Sequence, residues 1–593
     1  MSDNSKVRIG RFTVEQNLAS ESNFELARAW LKECINDHLC RQSSAPKTVP
    51  TRLIDVGPPD LSKIPSIRLT QNKVVNSEPY LALSHCWGGK VALTLTRANH
   101  ESLKSGISWH DLPANFQDAI TITQQLSIRY LWIDSLCIIQ DSLEDWEEES
   151  RKMSEVYRSA LLIIAASRAD GPDSGLLTRH GWGWRMPKVL FSINMETGED
   201  SEAHAYVSNK ERSHPEGLVE LLERGSLSRR GWGLQERVLS PRILHYDSKM
   251  IYWECSKGNI AADGTVEAGH PIEKETFPIL DRFLRLIHSD NPEPPVEDMQ
   301  SAYTEWHSIV AVYTRRNLTK VSDKLPAISG VASVFQQMTR ANYLAGIWDV
   351  DIHRGLLWQL PLDVNSRWVA KSKAERKPSW SWISTEGTTC VQPDWYIKDL
   401  RASDPNNMEL LSYRIELVNE QNPFGEVVSG KIEVRGLVRR VIPFQRDMNP
   451  SITRSYLNTD LKLHLDHPET GKVTSYSVVP DTLPTGEVVY IAVPVHYHPL
   501  TDEQLEAKNA DVLSGNCSLL LVLNFVGERR SSENEFYRVE KSTDIDGFAL
   551  AIAEVPGQFG MYERIGTANV EVEGRLHEQS RAAYWTRRTL TLV

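Results

Sequence analysis

The sequence predicts an α/β domain built on a parallel sheet with helical elaborations, followed by a β-rich C-terminal domain. Between Pro79 and Ala166, short apolar runs alternate with amphipathic stretches as strand, helix, strand, helix, strand, and links this short imply right-handed crossovers and parallel strands. After about residue 390 the chain turns to short β-leaning runs between turn signals, the pattern of an antiparallel sandwich or barrel-like domain. At 593 residues it can bury full cores and needs no disulfide or metal staple on grounds of size.

The first element is a helix over 22–40, with Phe24, Ala27, Trp30, Leu31, Cys34 and Ile35 on one face. Its end brings Cys34, His38 and Cys40 together. Three ligands at a spacing that fits no standard zinc module read as a buried face with a polar end, so no metal is expected. Residues 1–78 are therefore a helical extension, and the α/β domain runs over 79–264. Within it, Tyr80–Ser84 is a strand ending at Gly88-Gly89. A helix follows over 113–128, with Pro113 near its start and Phe116, Ala119, Ile120 and Leu126 on one side.

Leu131–Ile139 is a nearly unbroken apolar run, read as a strand covered on both faces with Asp134 in its middle. The helix over 143–160 has acids packed into its first turns, where Glu147, Glu148 and Glu149 form a mostly solvated start that complements the dipole, with Glu149, three residues after Trp146, able to turn inward. Leu161–Ala166 is the third buried strand. Residues 168–227, rich in turns and charge, are an insertion. Arg229–Leu239 is helical, and 242–254 is a β-hairpin. The prolines at 271, 278, 292, 294 and 295 mark a linker over 265–299 and a helical stretch covers 300–340, so 265–390 is a linker and helical region. The β-rich domain, 391–593, includes strands at 431–435, 461–465 and 488–492.

Composition excludes several classes of function. A net charge of −12 argues against a nucleic-acid binder, because phosphate affinity rests on Lys and Arg. Seven scattered cysteines, an odd number, read as reduced thiols in an intracellular protein. The polar start, Met1 to Arg11, has no signal-peptide core, and the longest apolar stretches are of strand length, so a soluble cytoplasmic protein without a membrane span is expected. The 17 tryptophans, in phrases such as Gly181-Trp-Gly-Trp184 and Trp380-Ser-Trp382, read as core anchors. Gly171–Gly175 and Gly231–Gly233 lack the spacing of a phosphate loop.

Three phrases resemble the heterokaryon-incompatibility (HET) domain of filamentous fungi. They are Tyr80-Leu-Ala-Leu-Ser-His-Cys-Trp-Gly88; Leu131-Trp-Ile-Asp-Ser-Leu-Cys-Ile-Ile-Gln140, continuing through Asp141, Trp146, Glu149, Met153, Tyr157 and 163–167; and Arg230-Gly-Trp-Gly-Leu-Gln-Glu-Arg237 with Leu239-Ser-Pro-Arg242 and His245. They occur in the family's order, and the segments 323–330, 344–348, 378–382 and 561–566 are similar to its usual extensions. The resemblance implies an intracellular effector of allorecognition and programmed cell death. Its partners would be further copies of itself, or an incompatible allelic or NLR-type protein.

The HET domain has been likened to the TIR domain, a flavodoxin-like unit that hydrolyses NAD in some members. Trp232-Gly-Leu-Gln-Glu236 is similar to the phrase that carries the TIR catalytic glutamate, with Gly233 where that phrase has Cys and Arg237 where it has Leu. This implies Glu236 as catalytic residue and NAD as a substrate rather than a cofactor, with cleavage of the nicotinamide–ribose bond. A non-enzymatic self-assembling module that recruits death partners is the alternative.

Glu236 shares a helical face with Trp232, Gln235 and Leu239. It is either a carboxylate facing a ribosyl cation or a buried ion pair with Arg229, Arg230 or Arg242. Ser84, His85, Trp87 and Gly88 stand where a strand ends, the place open α/β sheets bind ligands. With Trp232, and with Asp134 if it reaches the cleft rather than a loop's amides, they are the expected substrate-binding residues. Cys86 would serve as a nucleophile only if His85 converged on it in space, and strand-end packing is the alternative.

Overall fold

The structure is a computed structural model. It describes residues 14–177, 188–264, 296–359, 377–391, 407–443, 462–494, 517–570 and 586–593, less short internal stretches of which 41–49, 59–66, 72–77 and 207–217 are the longest before residue 264. The expected linker lies for the most part outside these residues, as does the phrase at 181–184. The chain divides into two compact units. The first comprises Met1–Pro292, Arg316–Thr319 and Ala327–Val334, and the second Glu293–Arg315, Lys320–Pro326 and Phe335–Val593.

Helix α1 (Glu21–Asn36) opens the first unit, capped by the Ser20 side chain on the Asn23 N–H and burying Phe24, Ala27, Trp30, Leu31 and Cys34. Two strands follow inside the stretch read as a helical extension, β1 (Arg52–Asp55) and β2 (Arg68–Gln71). Strand β3 (Tyr80–Ser84), helices α2 (His100–Ser105) and α3 (Ala114–Gln125), and strand β4 (Tyr130–Trp132) come next. The long strand expected over 131–139 stops at Trp132. Asp134 opens a short helix, α4 (Asp134–Cys137), its carboxylate accepting from the Ser135 N–H at 2.7 Å. A buried apolar run fits a strand or a buried helical turn equally well by pattern, and here the acid at the turn decides.

Helix α5 (Leu143–Ser159) carries Glu144 and Asp145 in its first turn and Arg158 in its last. Glu149 takes the inward alternative and belongs to the helix's buried face. It is 2% exposed and accepts from Thr51 Oγ1 at 2.6 Å. Strand β5 (Leu162–Ala165), the hairpin β6 (Lys188–Asn194) and β7 (Asp200–Tyr206), and helix α6 (Leu218–Arg224) lead to α7 (Trp232–Leu239). Strands β8 (Arg242–Tyr246), β9 (Ile251–Cys255) and β10 (Gly258–Ala261) complete the unit, and the expected hairpin is present with Arg242 opposite Cys255 and Tyr246 opposite Ile251.

Eight strands form one sheet in the order β10-β9-β8-β5-β3-β4-β1-β2. The four central strands, β8, β5, β3 and β4, are parallel, and the outer four pair antiparallel. The sheet is therefore mixed rather than parallel throughout. Along the parallel core the chain order reverses between β3 and β5, the switch point at which open α/β sheets place their ligands.

The second unit has a helix, Val296–Tyr313, whose Trp306 packs on Phe335, Trp348 and Tyr343 at centroid separations of 5.3, 5.2 and 6.1 Å. Trp380 and Trp382 are buried and donate to Gly430 O (3.4 Å) and Gly346 O (2.9 Å), the anchoring role expected of such residues. Its large sheet is barrel-like, because strand Cys517–Phe525 pairs with Asp546–Glu554 on one side and with Val427–Pro443 on the other. Among the described residues no helix is long and apolar enough to cross a membrane.

Candidate functional site

Strand β3 ends at Ser84, whose hydroxyl donates to Glu236 Oε2 on α7. Arg230, just before that helix, donates from Nη1 to the other oxygen of Glu236 (3.0 Å) and to the carbonyl of His85 (3.0 Å). Its Nη2 donates to Asp134 Oδ2 at 3.1 Å, and the Trp87 indole N–H reaches the same oxygen at 2.9 Å. Tyr157, on α5, also hydrogen-bonds to Glu236. Short elements hold these groups at the carboxyl ends of β3 and β4, so side chains from all three phrases singled out in the sequence meet in one buried network. Arg230 is its hub.

Charge is costly here, and the network answers it internally. Glu236 and Asp134 are 1% and 5% exposed. Burial pushes the Glu236 carboxyl above its ordinary range, while Arg230 and the Ser84 hydroxyl pull the other way. Burial would lower the guanidinium of Arg230, but Glu236 and Asp134 hold it above its usual value. His85 is fully buried against Phe116, 4.0 Å from Asp134, with neither ring nitrogen in a hydrogen bond; burial pushes it down to about 4. Burial also pushes the Cys86 thiol up to about 11, so it stands as the neutral thiol and not as an activated thiolate.

The structure thus brings together Ser84, His85, Trp87, Asp134 and Glu236. Of the three arginines weighed as partners for Glu236, it selects Arg230. Arg242 instead donates to the carbonyls of Cys40 and Leu161, and Arg229 is exposed. Two further expected binding residues make other contacts. Gly88, at φ +58°, abuts Gly171, and a Cβ there would come within 2.5 Å of the Gly171 Cα, so it is a close-approach glycine that shapes the loop. The Trp232 ring meets Trp146 edge-on at 6.5 Å.

Sequence reasoning missed a second relay beside Glu236. His245 contacts Ser167 Oγ through Nδ1 (3.1 Å) and Glu254 through Nε2 (2.9 Å), and Arg237 grips Glu254 with Nε and Nη2. Burial alone would raise Glu254, but Arg237 and His245 hold it well below the usual carboxylate range. His245 stands in the third phrase, but Glu254 lies beyond it and left no local signal. Between the two networks lies a cavity of about 20 Å³, lined by Ser84, Ser167, Glu236, Arg237, His245 and Arg316 among others. It has room for about one water molecule.

Residues 80–236 match the family model described as Heterokaryon incompatibility protein (HET). The chain carries a HET domain. No curated protein and no solved structure matches it. The HET match begins at the first residue of β3 and ends on Glu236, so it spans the whole Ser84–Asp134–Arg230–Glu236 network. It leaves out α1, β1 and β2 before it and β8 to β10 after it, although these strands belong to the same sheet.

Proposed function

We propose that the chain acts in heterokaryon incompatibility, and that its HET domain works as a non-enzymatic signalling module that self-assembles or recruits the proteins of a death response. The observation that carries this reading is the closure of Glu236. Both carboxylate oxygens are engaged, by Ser84 and Arg230, with Tyr157 adding a further hydrogen bond. The adjoining cavity holds about one water, whereas a pocket for a nucleotide-sized ligand needs roughly 300–1,000 Å³. A buried charged network whose carboxylates and guanidinium are all paired serves to fix one arrangement of the surrounding chain. A second copy, or an allelic or NLR-type protein, is the partner this reading requires, in the cytoplasm.

One observation favours a second reading, cleavage of the nicotinamide–ribose bond of NAD. Glu236 and Asp134 sit beside the sheet's switch point, and a carboxyl raised by burial at such a place has the features of a functional group. In that reading Arg230 swings away, Glu236 faces the ribosyl cation, and Ser84, His85, Trp87 and Asp134 bind the substrate.

Chromatography for free nicotinamide after incubating the full chain with NAD, with melting followed on the same preparations, separates the two. The expected result is no release by the parent or by Glu236→Gln. Arg230 keeps Asp134 but loses one carboxylate, so the variant should be less stable by about 1–3 kcal/mol. Release by the parent that falls by roughly 10²–10³ in a Glu236→Gln chain of unchanged stability would replace the first reading with the second.

A further inference from the structure

A second set of polar side chains converges where Cys255 stands opposite the first residue of β8. Cys34 lies in the last turns of α1, His38 and Cys40 follow just after the helix ends, and Cys255 ends β9. Their ligand atoms all lie within 4.8 Å of one another, and Cys255 Sγ is 3.6 Å from His38 Nδ1. The three cysteines are buried and none is in a disulfide. Counting ligands along the sequence stopped at three because the fourth stands 217 positions from His38, beyond the reach of any spacing rule.

We propose that Cys34, His38, Cys40 and Cys255 hold a structural zinc ion that fastens the end of α1 to β9. The geometry suits the ion. In a tetrahedral site with Zn–S near 2.3 Å and Zn–N near 2.0–2.1 Å, neighbouring ligand atoms stand roughly 3.5–3.8 Å apart. The Cys255–His38 edge already has that length, and the others close by small side-chain movements. The donors suit it too, since three thiolates and an imidazole, with no carboxylate among them, select zinc over calcium, magnesium or manganese. Four protein ligands leave no open position, which makes the site structural rather than catalytic.

The surroundings are arranged for a ligated histidine and for thiolates. His38 presents Nδ1 to the sulfurs while its Nε2 lies 3.6 Å from Glu33 Oε1. Brought a few tenths of an ångström closer, that carboxylate would hold the proton on Nε2 and leave Nδ1 free to ligate. The Lys257 backbone N–H donates to Cys255. Arg242, directly across the ladder from Cys255, donates to the carbonyl of Cys40. Its guanidinium balances the single net negative charge of a zinc ion bound to three thiolates. Binding takes three thiol protons and the lone pair of a neutral imidazole, so three protons leave for solvent and nothing is oxidised or reduced.

The test uses the full chain, purified under reducing conditions without chelator, with metal content measured by mass spectrometry. About one zinc per chain is expected, lost in Cys34→Ser, Cys255→Ser and His38→Ala, and kept in Cys86→Ser and in His38→Cys, which restores a fourth ligand. Glu33→Gln should weaken zinc about 10–100-fold in competition with a chromogenic chelator. Cobalt taken up by the metal-free parent should show tetrahedral d–d bands and thiolate charge transfer, a readout that does not depend on any variant folding. A parent that carries no zinc and gives no tetrahedral cobalt spectrum would overturn the proposal. So would a disulfide among Cys34, Cys40 and Cys255 under these conditions, or undiminished zinc in a folded Cys34→Ser chain.

Discussion

His85 is enclosed by Phe116 on one side and approached by Asp134 on the other, and the Arg230 guanidinium grips its backbone rather than its ring. Burial lowers its proton affinity to about 4, with Asp134 opposing and Arg230 assisting. In the unfolded chain it titrates near 6.5, so between about 6.5 and 4 the unfolded state binds a proton that the folded state refuses. The contribution of His85 to stability is therefore complete above about pH 6.5 and is lost as pH falls towards 4, by up to about 3 kcal/mol. Denaturant midpoints across that range should drop in the parent, and His85→Leu should remove much of the slope, because a neutral apolar side chain binds no proton in either state. An equally steep slope in the variant would place the titration elsewhere. The neighbours of this histidine were unevenly legible. Glu236, Asp134, Ser84 and Arg230 all stood in phrases that resemble a family, but Arg230 was one of three candidate partners for Glu236. Only the fold, by reversing between β3 and β5, shows why that arginine reaches both carboxylates.

At the scale of elements, the long helices and the apolar strands β3 and β5 declared themselves, whereas β1 and β2 did not. Helix α1 was visible because an apolar residue recurs every three or four positions, and α5 because acids gather at its start. Strands β1 and β2 are four residues each and carry charged or polar ends, too short to show an alternation, and they are recognisable only by what they pair with. The apolar run after β4 erred the other way. Its composition is that of a strand, but Asp134 makes a helical turn of it, and that turn presents the carboxylate to Arg230. Helix α1 earns its place through Trp30, 6% exposed, whose ring lies 6.4 Å from that of Trp253 on β9. Trp30→Ala should lower stability by about 3–5 kcal/mol, as large-to-small changes in cores do. A loss under about 1 kcal/mol in chemical denaturation would show that α1 merely rests on the sheet.

At the scale of the whole molecule, the stretch that matches the family and the unit that folds have different bounds. Residues 80–236 hold the parallel strands β3, β4 and β5 but not the fourth, β8, which pairs β5 at Ile163–Ile243 and Ala165–His245. They also lack β1, which shields the outer side of β4 through Ile54–Leu131 and Asp55–Tyr130. Two later segments complete the surroundings of α7. Asn317 and Gly231 are joined by a bond from the Gly231 N–H (2.8 Å), and the Gly330 N–H donates to the Gln235 side chain at 2.6 Å. A fragment cut to 80–236 would expose both edges of a parallel sheet, an arrangement found almost only where it is covered, and would present unpaired edges for aggregation. Such a fragment should be insoluble or lack cooperative unfolding, and so should a chain beginning at Pro79, which removes β1, β2 and the buried face of α1. A fragment spanning 14–334 keeps all eight strands, α1 and both later segments, and should unfold in one sharp transition. Thermal unfolding followed by near-ultraviolet circular dichroism reads the difference through the buried tryptophans. If 80–236 melts as sharply as 14–334 and at the same temperature, the outer strands and α1 are ornaments on a self-sufficient core.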